Sequence, residues 1–417
     1  MSGSSQPGDT DKGQASPGAL NGVRVIDLTQ ILSGPFCTQM LADQGADVIK
    51  VEPLAGDETR RLGPYRQDDE ERLFGGYYQS VNRNKRSISL NLKTEEGRER
   101  LFQLIETADV LVENYRPGVM DRLGLSYEAI AERNPRIVYA AIRGFGDPRS
   151  GESPYVDWPA FDVVAQALGG IMGITGQTGH PIKIGPGVGD TIPAMLTAFG
   201  IVTALFEARQ SGKGQFVDVA MVDGILALCE RIVHQYSFSG EIGKPEGNRH
   251  PILCPFGMFE ALDGWVSIGA PTAIFWKQIC SIIGRPELGE HPDYATNQSR
   301  LDRKDEVYQI IEDFTRRHTK AELIEMMGGK IPFGPVYNAA DIFQEPHFRT
   351  RNMLVDVEQP GSASPVTLAG VPIKMSRTQG EIRRRAPKLG EHTNEILAEL
   401  GLSGAEIDDM KSRDILK

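Results

Sequence analysis

The sequence predicts an α/β protein: a large, open, Rossmann-like domain on a mainly parallel sheet, interrupted by a smaller α+β domain. Three observations carry that expectation. Near-continuous apolar runs rich in β-branched residues recur at 23–28, 46–52, 108–114 and 137–142, as strands covered on both faces require. Helical patterns alternate with them, the signature of strand–helix–strand units. After about residue 226 the texture changes to a hairpin followed by helices.

Residues 1–18 are rich in Gly, Ser and Pro and read as a disordered tail. They show neither the apolar core of a signal peptide nor the arginines of a transit peptide. The large domain is expected at 19–225 and 336–417. Its first strand, VRVIDL, is followed by the loop TQILSGP, a helix from Phe36 to about Gln44, and a second strand at 46–52. The pattern repeats with a strand at 88–92, a helix from Thr94 to about Thr107, and strands at 108–114 and 137–142. Ile192, Met195, Phe199, Val202 and Phe206 recur every three or four positions and predict a helix over 192–209, with Pro193 in its first turn and Gly212 beyond its end. A strand at 215–221 and a long helix from Asp223 to about Ser237 follow. The small domain, 226–335, opens on a hairpin around Asp263-Gly264 and continues with helices over 273–283 and 304–317. Another helix starts at the capping box Thr319-x-x-Glu322. Strands at 353–358 and 366–373 precede helices beginning near Thr393 and Ser403.

The 417 residues are 40% apolar and 24% charged, enough to bury a sizeable core. With 45 Lys plus Arg against 56 Asp plus Glu, the formal charge is −11. That excludes a general nucleic-acid or anionic-membrane binder but leaves room for a local basic pocket. The longest apolar stretch, 195–206, is broken by Thr and Gly and falls short of a membrane span, so a soluble protein is expected. Cys37, Cys229, Cys254 and Cys280 form no C-x-x-C pair, and the seven histidines are scattered singly. No metal site follows from such spacing, and the expected compartment is the reducing cytoplasm.

The candidate sites each have a bland reading. A strand, a helix and a second strand ending in Glu52 outline half of a dinucleotide site, but TQILSGPFC offers only Gly34 where the phosphate loop needs three glycines. Glu52 therefore reads as a strand-end charge. The runs GGIMGITG and IGPGVGD lack the closing Lys of a Walker loop and read as tight turns or pocket walls. Arg83, Lys85, Arg86 and Lys93 cluster around one strand, either as solvated turn charges or as a phosphate grip. Asp190 precedes the helix at 192–209. It suits a helix-start acid, and equally an ionised carboxylate exposed to a ligand. Arg249-His250, before Pro251, are either surface charge or presented to a cleft.

Together, GVRVIDLTQILSGPFCTQMLADQGADVIKVE, VNRNKRSISLNLK, ADVLVENYRPGVMDRLGL, IGPGVGD, IPFGPV and LGEHT, in this order, resemble the family III CoA-transferases, the formyl-CoA and carnitine CoA-transferase group. The likeness covers about residues 20–417. It implies an open α/β domain, a smaller domain, and a homodimer of two chains threaded as interlocked rings. The family's nucleophile falls on Asp190, its CoA contacts on Ser33, Leu90, Lys93, Asn114 and Arg122, and an acid near the thioester on Asp162. A family arginine after the second strand becomes Pro53, and a first-loop glutamine of formyl-CoA transferases becomes Leu32. The tetraglycine loop of those enzymes is missing, which argues against formyl-CoA and oxalate. The fold's racemases need a His where this chain has Phe161, so two-base proton exchange lacks a partner.

The expected reaction is transfer of CoA from an acyl-CoA to a free carboxylate through an aspartyl anhydride and an aspartyl-CoA thioester. An aspartate of ordinary pKa is already ionised at pH 7, so no general base is needed. CoA is a cosubstrate, and no permanent cofactor or metal is implied. Leu32 suits an aliphatic stem, and Arg249-His250 could meet a distal carboxylate, which points to C4–C5 dicarboxylates such as succinate, mesaconate, itaconate, malate or glutarate. The alternatives are an acyl-CoA racemase or a non-catalytic acyl-CoA-binding protein.

Overall fold

The structure, a computed structural model, describes residues 17–417. Most of the expected tail lies outside the described residues. Gly18 does not fit that reading, because it is buried against the turn at Gln44–Gly45 with no room for a Cβ. The chain forms two compact units. The large one runs up to Gly169 and adds Pro186–Leu228 and Arg349–Lys417; the small one comprises Gly170–Gly185 and Cys229–Phe348. These bounds differ from 226 and 335 for identifiable reasons. Gly247 N–H donates to the Gly176 carbonyl at 2.7 Å, which ties 170–185 to the small unit. Val336 N–H donates to the Trp265 carbonyl at 2.8 Å, and Lys320 pairs with Asp341 at 3.1 Å, which extends it beyond 335.

The large unit is built on β1 (Arg24–Asp27), β2 (Asp47–Glu52), β3 (Arg86–Ser89), β4 (Val110–Glu113), β5 (Val138–Arg143) and β6 (Phe216–Ala220). Their order is β3-β2-β1-β4-β5-β6 and every pair is parallel. Strand order reverses at β1, between β2 and β4. In open parallel sheets the crevice at the carboxyl ends beside such a reversal is where ligands bind.

Helix α1 (Ser33–Asp43) follows β1, and α2 (Glu95–Glu106) follows β3. Thr94 caps α2 by accepting the Gly97 N–H at 3.0 Å, with Glu95 and Glu96 in the first turn, so both signals for a helix start are present. Beyond β5 come α3 (Asp162–Leu168), α4 (Val188–Ser211) and α5 (Met221–Leu228). The expected long helix over 223–237 is instead α5 and α6 (Ile232–Ser239), because the chain turns at 229–231 as it leaves the large unit. Ile396, Leu397, Ile407, Met410 and Leu416 enter the same core as β1 and β2, and Leu416 pairs antiparallel with Leu90.

With 24 residues, α4 is longer than its pattern predicts and, by length and composition alone, apolar enough to cross a membrane. One face, with Ala194, Ala198, Ile201 and Ala204, is buried in the large unit. The other exposes Met195, Phe199, Val202 and Phe206.

Charges expected at the surface lie inside. Lys85 and Asp27 are fully buried and meet at 2.9 Å; Lys50 and Asp57, equally buried, meet at 3.0 Å. Arg83 pairs with Asp43 at 2.7 Å, and Arg86 with Asp47 at 2.6 Å and with Glu395 at 2.8 Å. Glu52, far from being a solvated strand end, is buried against Arg60 at 2.6 Å and Ser87 at 2.7 Å. The phosphate-grip reading of Arg83, Lys85 and Arg86 is therefore corrected, because their charges are spent on internal acids.

The small unit has its own core around the buried Trp276, Phe259 and Ile311. Its antiparallel strands β7 (Phe256–Ala261), β8 (Gly264–Gly269) and β9 (Phe333–Pro335) stand in the order β9-β8-β7. The capping box Thr319–Glu322 forms as expected.

Candidate active site

Asp190 occupies the first turn of α4, whose N-cap is Gly187, so the acid lies inside the helix and not before it. Asp162 opens α3. The two helix starts are joined directly: the Gly189 N–H donates to Asp162 Oδ1 at 2.8 Å, and Gln166 Nε2 donates to both Asp162 oxygens at 2.9 and 3.0 Å. A Cβ on Gly189 would stand 2.4 Å from the Asp162 carbonyl oxygen. IGPGVGD thus spends a glycine on close approach of two backbones, not on a positive φ.

Among the described residues, no hydrogen-bond donor or cation is paired with the Asp190 carboxylate. Burial, and then the neighbouring Asp162 charge, push it up to about 7. This corrects the expectation of an ordinary, fully ionised aspartate: at neutral pH a sizeable share carries a proton. The Tyr77 hydroxyl is raised by burial first and then by Asp190, which places this tyrosine within electrostatic reach.

Asp190 lines a 250 Å³ cavity at the carboxyl ends of β1, β4 and β5, with Leu32, Ser33 and Asn114 in its wall. Leu90, Lys93 and Arg122 line a second cavity, of 340 Å³, together with Pro53 and Leu54. Tyr115 borders both. Of the residues named from sequence, Leu32, Ser33, Asn114 and Asp190 thus line one cavity and Leu90, Lys93 and Arg122 the other, whereas Asp162, Arg249 and His250 line neither. Lys93 and Arg122 are exposed and have no ion pair among the described residues. Asn114 turns its amide onto the first loop, donating to the Gln30 carbonyl and accepting the Gln30 N–H, both at 2.8 Å.

Sequence reasoning missed Tyr115, Arg116 and Trp158, which border the Asp190 cavity. Tyr115 and Arg116 adjoin the flagged Asn114 and could have been found from that adjacency. Arg143 also lines it, but is neutralised by Glu113 at 2.6 Å and by Asp147. Phe161 is 63% exposed at the cap of α3.

In the small unit Arg249 pairs with Asp305, and its guanidinium lies 4.4 Å from the Tyr308 ring centre. Burial, with Arg231 and Lys304 behind it, holds His250 below the ordinary histidine value. No group of three or more His, Cys, Asp or Glu suited to a metal ion occurs among the described residues.

A family model described as CoA-transferase family III matches residues 20–393. The succinyl-CoA:mesaconate CoA-transferase of Haloarcula hispanica is 48% identical over 386 residues, covering 92% of this chain and 97% of that protein. A formyl-CoA:oxalate CoA-transferase of Rhodopseudomonas palustris is 39% identical, with 94% and 96% covered. A succinate–glutarate CoA-transferase of Agrobacterium fabrum is 38% identical, with 91% and 95% covered. Among solved structures, a CAIB/BAIF family protein from Brucella suis superposes with a TM-score of 0.82 at 34% identity, over 93% of this chain and 100% of that one. With a family model spanning most of its length and relatives of this identity, the chain is a CoA-transferase and belongs to family III of these enzymes.

Proposed function

We propose that this enzyme moves CoA from a succinyl-CoA-type donor to a small dicarboxylate, with Asp190 as the covalent carrier. The observation that carries the proposal is a half-buried carboxylate, unpartnered among the described residues, on a cavity beside a second cavity edged by unpaired cations. The ionised Asp190 attacks the thioester carbonyl, giving an acyl–aspartyl anhydride and CoA thiolate. The thiolate attacks the aspartyl carbonyl, releasing the donor acid and leaving an aspartyl-CoA thioester. The acceptor carboxylate attacks that thioester to give a new anhydride, and the returning thiolate takes the acyl group and frees Asp190. Each step exchanges one acyl bond for another, so no redox partner is needed.

Lys93 and Arg122 offer charge to the CoA phosphates, and Leu54, Leu90 and Pro53 an apolar wall for its base. Replacing either cation by Ala is expected to raise the KM for acyl-CoA, at a binding cost of about 1–3 kcal/mol for the lost charge-assisted hydrogen bond. Steady-state kinetics in which neither KM moves return both residues to solvated surface charge.

The relatives that act on mesaconate and on glutarate support a dicarboxylate acceptor. A distal carboxylate calls for a cation. Arg116 stands in the Asp190 cavity without an ion pair among the described residues, whereas Arg249 already faces Asp305. The test is a screen of free acids against succinyl-CoA, with new thioesters followed by mass spectrometry in wild type, Arg116→Ala and Arg249→Ala. Dicarboxylates are expected to outcompete monocarboxylates of equal length, and loss of that preference identifies the cation. Acceptance of only monocarboxylates or carnitine sinks the substrate assignment.

The exposed apolar face of α4 supports the further reading that the working form is a homodimer of interlocked chains. The cytoplasm, where the four buried thiols stay reduced, is the proposed compartment.

A further inference from the structure

The loop between β1 and α1 holds a β-branched residue in the wrong half of backbone space. Ile31 has φ +69°, the left-handed region that β-branched side chains avoid. Such a conformation persists only where its surroundings over-determine it, and such sites cluster where function needs a fixed geometry. Here three side chains supply the restraint. Lys50 Nζ donates to the Thr29 carbonyl at 2.8 Å, and Lys85 Nζ to the Pro35 carbonyl at 3.0 Å, holding the loop at both ends from the buried side. Between them, Asn114 closes a two-point clamp on the Gln30 backbone, with a weaker contact to Ser33 Oγ at 3.5 Å.

What the clamp fixes is a row of donors. Among the described residues no acceptor takes the N–H groups of Ile31, Leu32, Ser33 or Gly34. Ile31, Leu32 and Ser33 line the same cavity as Asp190. Backbone donors beside an acyl-transfer nucleophile matter through their placement, since they act on charge that develops only during the reaction.

We propose that Asn114 is a positioning residue: by gripping the Gln30 backbone it keeps Ile31 left-handed and so sets where the loop's free N–H groups stand relative to Asp190. This rests on Asp190 being the nucleophile, and it assigns Asn114 a role other than gripping CoA. A contact with CoA would show in binding; a loop clamp shows in turnover.

The probe reaction is isotope exchange between succinyl-CoA and carbon-13 succinate. Asn114→Ala is expected to lower kcat on the order of 100-fold, with the Kd for CoA changed by less than about threefold. Amide hydrogen exchange of the peptide spanning residues 28–36 rises in the same variant. Adding Ile31→Gly to Asn114→Ala is expected to recover about tenfold of the lost kcat, because glycine adopts a left-handed φ without the clamp. Asn114→Asp keeps the acceptor for the Gln30 N–H but sets an oxygen against its carbonyl, and carries the same test if the alanine variant does not fold. A Kd for CoA that rises in step with an unchanged kcat overturns the proposal, as does unaltered exchange of the loop peptide. Wild type that exchanges no succinate overturns the substrate reading instead, and the hydrogen-exchange arm still judges the clamp.

Discussion

Asp190→Asn is expected to lose CoA exchange by at least the order of 10⁴-fold while gaining stability at alkaline pH. The loss follows because an amide cannot form the anhydride. The gain follows from the raised carboxylate. Unfolded, the group titrates near 3.8; folded, near 7. Between these values the folded protein holds a proton that the unfolded chain has released, so stability falls as pH rises through that window and the full cost is present above it. Asparagine removes this cost, worth ~2–4 kcal/mol at pH 8 once partial wetting of the side chain is allowed for. The advantage fades as pH drops through 7 and is gone near 4. Melting temperatures of both proteins from pH 4 to 8 measure it directly. In wild type, the acid limb of kcat/KM should stand near pH 7, since the protonated acid is no nucleophile. A limb near 4, or curves for the two proteins that run parallel, excludes the desolvated carboxylate.

Lys85→Met is expected to be the most damaging change away from the reacting atoms. The ammonium is fully buried and gives hydrogen bonds to Asp27 and Asn82 at 2.9 Å and to the Pro35 carbonyl at 3.0 Å. Asp27 is held down to about 2 against the burial that opposes its charge, chiefly by Lys85 and then Lys50. Removing one partner of a buried pair leaves the other charged and unpaired, at a cost of about 3–5 kcal/mol. Urea unfolding should show that loss, and adding Asp27→Asn should return part of it, because no charge is then stranded. A Lys85→Met midpoint within error of wild type refutes the buried pair.

The sheet was legible because strands buried on both faces are mostly apolar and β-branched: VIKVE and VYAAI announce β2 and β5, although Lys50 and Glu52 in the first are buried charges. Asp190 was legible as an acid at a helix start, and the structure places it in the first turn of α4. Its proton affinity was not, since that depends on burial and on Asp162, a neighbour only after α3 and α4 meet. The basic run NRNKR misled for the same reason. A charge reads identically in water or in a core, and the acids that neutralise Arg83, Lys85 and Arg86 stand far away in sequence, at Asp43, Asp27 and Glu395. The helix over 223–237 failed because apolar spacing continues across 229–231 while the backbone turns there.

The large unit closes over its core only with residues 349–417, whose Ile396, Ile407 and Leu416 pack beside Ile26 and Ile88. This imposes an order on synthesis. The small unit is complete once Phe348 has emerged, whereas the six-stranded sheet still lacks part of its cover. At about 5–20 residues per second, the ribosome leaves that sheet's apolar surface open for several seconds. The insertion thus has its whole sequence available before its host does, and in the interval between them part of the host's apolar core stands without the residues that cover it.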